Sequence, residues 1–227
     1  GESVEGAPLV TVEVGAQDAT QVTIILAGIH PIEWIGIRTG LALLERLVAN
    51  PPSDRRVLVF PMVNVDGFRR VETDLREGRR RWVRTNSRGV DLNRNWPTHF
   101  RAPRRFTGLF AAHHHGGAAP RSEPEVDAVC ATLDALPSGT RMDVALSLHS
   151  IGRKILFSYG GRWKPPEQAP RLRMLGGAVR DRIPERYRVV QASHWVPGSF
   201  ARGMEIDHLH DHYGADALLL QSNNFSL

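Results

Sequence analysis

The 227-residue chain has one cysteine, Cys130, which excludes an intrachain disulfide framework and a cysteine-rich zinc site. Cys130 falls within EVDAVCATL, a helical pattern in which it reads as a small buried residue. No apolar run approaches the ~20 residues needed to cross a bilayer, so no membrane-spanning helix is expected. No charged-then-apolar leader opens the chain. Gly1 need not be the natural start, so a soluble cytoplasmic protein and one exported with its signal removed both stay open. Aromatic residues are scarce, at 7%, and no aromatic-interleaved basic stripe accompanies Arg79-Arg80-Arg81 or Arg104-Arg105. The net charge of +5 and pI near 10.1 therefore read as a solvated basic face, or as attraction for an anionic substrate. Nucleic-acid binding is not expected. Repeats, low-complexity tracts and Gly/Ser linkers are missing too, so one domain over 1–227 is the natural reading.

What is present is ordinary globular material, with 41% hydrophobic and 23% charged residues. Apolar and β-branched runs predict strands at Leu9–Val14, Gln21–Ala27, Val57–Pro61, Met142–Leu148, Lys154–Tyr159, Arg186–Gln191 and Ala217–Gln221. Helical periodicity runs from Glu33 to Ala49, stopped by Asn50-Pro51-Pro52, and recurs near Gln168–Arg182 and Met204–Tyr213. Ser122-Glu123-Pro124-Glu125 has the spacing of a capping box for a helix through Leu136. Residues 64–121 are rich in Arg, Gly, Asn and Pro and read as long loops. The alternation predicts an α/β fold, a central mixed sheet flanked by helices. His30, His149 and Gln221 all fall at strand ends, where sites form in such folds.

His30 and Glu33, in AGIHPIEW, form an HxxE pair. A catalytic zinc wants three protein ligands and one open position, and this pair can supply two of them. The best candidate for the third is His149, in MDVALSLHS. Taken alone HxxE is a weak signal; the competing reading is a solvated helix start with Glu33 favouring the helix dipole. A histidine in the setting of His149, taken alone, is more often a hydrogen-bonded core residue than a ligand. His113-His114-His115 cannot easily point at one ion, and His208, His210 and His212 are scattered around a helix by their even spacing.

Gly89-Val90-Asp91-Leu92-Asn93-Arg94-Asn95-Trp96-Pro97 resembles the signature of the zinc metallocarboxypeptidases, the carboxypeptidase A-like family. Other pieces follow in that family's order: HPIEW, VNVDGF, GGAAPRSEPEVDAV, SLHS, and Gly203-Met204-Glu205-Ile206-Asp207 with Gly214. The resemblance implies one Zn2+ held by His30, Glu33 and His149. Asp91 would accept a hydrogen bond from His30, and Asn93 and Arg94 would grip the terminal carboxylate of a peptide substrate. Arg84, with Arg81 as its close competitor, would stabilise the oxyanion. Ile206 would line the pocket for the departing side chain, a hint of an uncharged terminal residue, while the arginine excess points toward an acidic one.

The sequence departs from the family in three places. The family's general base is a glutamate on the last sheet strand, where this chain has Gln221. An amide can hydrogen-bond a water but cannot take its proton, so turnover should be strongly impaired. A trapped variant, a natural pseudoenzyme, or another carboxylate doing the work would each account for this, with Glu205 the nearest such carboxylate. The family's substrate-covering tyrosine is missing from SHWVPGSFARG, where Trp195, Phe200 or His194 stand instead. The family's domain continues into another helix, whereas this chain stops at Leu227 and reads as truncated. An aspartoacylase-like N-acyl amino acid deacylase shares HxxE…H and DLNR. The Asn95-Trp96 extension and the SEPE segment favour the peptidase. A non-catalytic peptide-binding module is the remaining alternative.

Overall fold

Side chains of Gln21–Ala27 alternate between two cores, Val22, Ile24 and Leu26 packing on one side and Ile25 and Ala27 on the other. That period of two is what a strand buried on both faces requires. The computed structural model describes residues 1–102, 115–195 and 200–222. Arg104, Arg105, His113, His114 and the stretch beyond Ser222 lie outside them. Among the described residues seven strands are found: β1 (Val12–Gly15), β2 (Gln21–Ala27), β3 (Arg56–Phe60), β4 (Arg141–Ser150), β5 (Lys154–Phe157), β6 (Arg188–Gln191) and β7 (Asp216–Ser222). Five α-helices join them: α1 (Trp34–Ala49), α2 (Val65–Arg76), α3 (Pro124–Asp134), α4 (Ala169–Arg180) and α5 (Glu205–Asp211).

The strands form one sheet in the order β1-β3-β2-β4-β7-β5-β6. The β2–β3, β2–β4, β4–β7 and β5–β6 pairs are parallel; β1–β3 and β5–β7 are antiparallel. This is the expected α/β fold with a mixed sheet. One face buries Leu26, Leu58 and Leu219 with Val126, Val129 and Leu133 of α3 and Ile206 and Leu209 of α5. The other buries Ile25, Val59 and Leu148 under Leu43, Leu44 and Leu47 of α1, and Ile155 and Phe157 beneath Leu172 of α4. Full burial of each such side chain contributes roughly 1.5–3 kcal/mol.

Helix α1 lies close to the sheet because Gly36 permits it. A Cβ there would sit 2.6 Å from the Leu148 carbonyl oxygen. Three local expectations need correction. Residues 64–121 are not loop throughout: α2 occupies Val65–Arg76, its start capped by Asn64, whose side chain accepts from the Gly67 N–H at 3.0 Å. The capping box at Ser122 does not form, since the Ser122 hydroxyl donates to the Glu123 carboxylate and Glu123 itself stands at the N-cap of α3. Strand β1 begins at Val12, later than the apolar run it follows.

Candidate metal centre

The centre is assembled by strand pairing. Ala27 of β2 stands opposite Leu148 of β4, and His149 opposite Gln221 of β7. His30 and Glu33 follow β2 in the turn leading into α1, so all four side chains meet at the carboxyl edge of three adjacent strands. The Nδ1 atoms of His30 and His149 lie 3.1 Å apart. Glu33 Oε1 is 2.9 Å from His30 Nδ1, and Glu33 Oε2 is 2.8 Å from His149 Nδ1. Oε2 also accepts from the Ser150 N–H at 3.0 Å. Glu33 holds the N-cap position of α1 yet makes no capping bond, because its carboxylate is committed to the cluster. All three residues are buried.

The outward nitrogens are partnered as well. His30 Nε2 is 3.1 Å from Asp91 Oδ1, and His149 Nε2 is 3.0 Å from Glu205 Oε1. Asp91 is fully buried and also accepts from the Asn93 N–H at 3.0 Å and Arg84 Nε at 2.8 Å. Burial raises the Glu33 pKa, but the two adjacent imidazoles outweigh it and hold the carboxyl well below its usual range. Burial pulls the His149 pKa down, and Glu33 and Glu205 on either side overcome it, lifting the pKa to about 9. The cluster thus holds excess negative charge that a proton, or a cation, neutralises.

The donor set fits zinc. His30, Glu33 and His149 each offer one ligand atom within 4.8 Å of the others. Tetrahedral zinc with bonds near 2.0 Å places its ligand atoms about 3.3 Å apart, close to the separations seen. No other such group of His, Cys, Asp or Glu occurs among the described residues.

A cleft of about 390 Å³ opens from the cluster, lined by His30, Glu33, Arg84, Asn93, Arg94 and Gln221 among others. Arg84, besides its bond to Asp91, brings Nη1 within 3.9 Å of Glu33 Oε1. Its competitor Arg81 is half exposed, 3.8 Å from Asp74 on α2, so Arg84 is the arginine at the cluster. Arg94 donates to the Asn93 carbonyl, and Asn93 Oδ1 accepts from the Glu205 N–H at 3.2 Å. Burial, opposed by Asp91 and aided by Arg84, lowers the Arg94 pKa without removing its charge. The Gln221 amide faces the carbonyls of Ser150 and Ile151, 2.7 and 2.8 Å away, an arrangement that only its nitrogen, not its oxygen, can satisfy.

Ile206 does not line this cleft. It packs in the main core on α5. Leu156, Ala192, Ala201, Met204 and Leu219 supply the apolar wall instead. Glu205, the nearest other carboxylate, lies against His149 Nε2, on the ring edge away from the donor cluster. That contact was not visible in the sequence. Of the three candidates for a pocket cover, Trp195 lines the cleft and is 39% exposed. His194 packs on Trp163, and Phe200 lies under Arg202.

The chain belongs to the zinc carboxypeptidase family, whose profile matches residues 1–215. Carboxypeptidase A6 of Homo sapiens is 30% identical over 181 residues, covering 72% of this chain and 40% of its own length. The crystal structure of carboxypeptidase A from Helicoverpa armigera superposes with a TM-score of 0.83 at 22% identity, over 100% of this chain and 59% of its own. An aspartoacylase family protein from Mesorhizobium loti superposes with a TM-score of 0.62 at 16% identity, over 98% of this chain and 58% of its own. The chain spans about two-fifths of the length of curated relatives it matches, 42% and 40% in two of them.

Proposed function

We propose that residues 1–227 form one catalytic domain of zinc-dependent carboxypeptidase type, acting on an amide bond next to a free C-terminal carboxylate. The observation that carries this is the convergence of His30, Glu33 and His149, with donor atoms 2.8–3.1 Å apart, beside a cleft lined by Arg84, Asn93 and Arg94. A bound zinc supplies Lewis acidity toward the scissile carbonyl and an acidified water. The protein's own groups do the rest. Arg94 presents a planar fork suited to two parallel bonds with the terminal carboxylate, and Asn93 adds an amide beside it. Arg84, fixed through Nε to Asp91, directs its remaining N–H groups toward the carbonyl oxygen as negative charge develops there. The apolar wall of Leu156, Met204 and Leu219 accepts an uncharged terminal side chain, which argues against an acidic one.

Gln221 lines the cleft, and we read it as standing at the family's general-base position, where an amide cannot take a proton. That observation favours a second reading, a peptide-binding module with severely reduced turnover. The test is metal content and product analysis of the purified protein beside His149→Ala. Zinc in the parent and its loss from the variant are expected, with binding of a free-carboxylate peptide. Equal zinc in both would remove His149 from the ligand set. Cleavage of an N-acyl amino acid in preference to a C-terminal peptide would replace the carboxypeptidase reading with a deacylase.

A further inference from the structure

Glu205 is a carboxylate with no exposed surface, at the first position of α5. Taking such a group out of water costs several kcal/mol unless partners compensate. Arg84 and Arg94 lie near enough to offset part of its charge, but its hydrogen-bond partners are few. Oε1 lies 3.0 Å from His149 Nε2, and Oε2 is buried with no hydrogen-bond partner among the described residues. Its backbone N–H donates to Asn93 Oδ1. A hydrophobic residue of similar length would fill the same space without that desolvation. The position opposite an imidazole nitrogen gives the carboxylate a use.

We propose that Glu205 is a positioning residue for the metal centre: by accepting from His149 Nε2–H it fixes the tautomer whose Nδ1 lone pair faces His30 and Glu33. This rests on reading the cluster as a zinc site. Asp91 makes the equivalent contact to His30 Nε2, so each imidazole is held between an inner donor cluster and an outer carboxylate. The two carboxylates come from unrelated parts of the chain, one from the loop before Leu92 and one from α5. Glu205 further couples the histidine to Asn93, so one residue sets the ligand ring and braces the substrate-facing amide. Outer partners of this kind commonly affect metal affinity 10–100-fold.

The test compares zinc dissociation constants, by chelator competition, of the parent, Glu205→Met and Glu205→Gln. Methionine fills the volume without a strong acceptor, whereas glutamine keeps an oxygen that can accept from Nε2–H. We expect zinc binding to weaken on the order of 10–100-fold in Glu205→Met and to recover most of that loss in Glu205→Gln. A residue that merely packs would lower the melting temperature and leave zinc affinity in place, so Glu205→Met within twofold of the parent overturns the proposal. A second readout needs no variant: long-range 1H–15N spectra of the zinc-loaded parent should show His149 protonated at Nε2. Protonation at Nδ1 overturns it as well. A parent that binds no zinc sinks the metal-site reading itself, a result distinct from either.

Discussion

Replacing Gln221 by glutamate puts the two functional readings into direct competition. The Gln221 amide nitrogen donates to the carbonyls of Ser150 and Ile151 at 2.7 and 2.8 Å. A carboxylate there loses two hydrogen bonds, each worth about 1 kcal/mol net, and turns oxygen toward oxygen at sites with little access to water. The combined cost is about 2–4 kcal/mol, which for a chain of this length lowers the melting temperature by roughly 5–12 °C. The same change puts a proton acceptor into the cleft lining, and general-base catalysis contributes ~10²–10⁴ in rate. Gln221→Glu should therefore melt earlier and hydrolyse faster. The assay pairs a thermal melt with hydrolysis of a blocked dipeptide ending in leucine or phenylalanine, with zinc present. An unchanged melting temperature refutes the argument that the amide clamps the two carbonyls. A folded, zinc-bound variant with no gain in rate refutes the argument that a missing carboxylate limits turnover, and leaves the binding module.

Arg94→Ala should weaken binding of a free-carboxylate peptide on the order of 10–100-fold by calorimetry, while the C-terminal amide of that peptide binds parent and variant alike; equal losses on both would take Arg94 away from the carboxylate. Gly36→Ala drives a Cβ to 2.6 Å from the Leu148 carbonyl oxygen, and overpacking of about 1–3 kcal/mol should lower the melting temperature by roughly 2–10 °C; an unshifted melt would mean α1 sits less firmly on β4 than the geometry requires. Burial, reinforced by His212, depresses the His208 pKa from 6.5 to about 4, so the unfolded chain takes up that proton first. The contribution is complete above about pH 6.5 and is lost as pH falls toward 4. His208→Phe should accordingly show a smaller drop in melting temperature between those limits, and parallel curves would show that His208 does not couple to folding.

Much of this organisation can be read from residues in order. Gln21–Ala27 and the helix after Glu33 are plain because burial on two faces, and then on one, imposes periods that the sequence displays and Asn50-Pro51-Pro52 ends. His30 and Glu33 follow a strand end and share one short motif, whereas Asp91, Asn93 and Arg94 lie in a 3-10 turn and were legible only through the motif's resemblance to the zinc metallocarboxypeptidase signature. Helix α2 escaped notice because Gly67 and a dense set of charges blur its apolar positions Phe68, Val71 and Leu75. The apparent capping box failed because the Ser122 hydroxyl donates to Glu123, while the Glu125 carboxylate accepts from Asn86 Nδ2 and the Val4 N–H, each at 3.2 Å. Ile206, expected at the pocket, is absent from the cleft lining while Met204, the residue before α5, is part of it, because the phase of a short helix is not fixed by its sequence alone. The contact between Glu205 and His149, 56 positions apart, leaves no mark in either local pattern. No spacing rule states which edge of an imidazole a distant carboxylate will meet.

The opposition of Ala27 and Leu148 has a consequence for how the protein is born. His30 and His149 are separated by 119 positions, and sliding β4 by a single residue would swing the second imidazole to the far side of the sheet. A partly synthesised or mispaired copy consequently has no assembled centre at all. The donor cluster of His30, Glu33 and His149 therefore forms only once the middle of the sheet has paired in register.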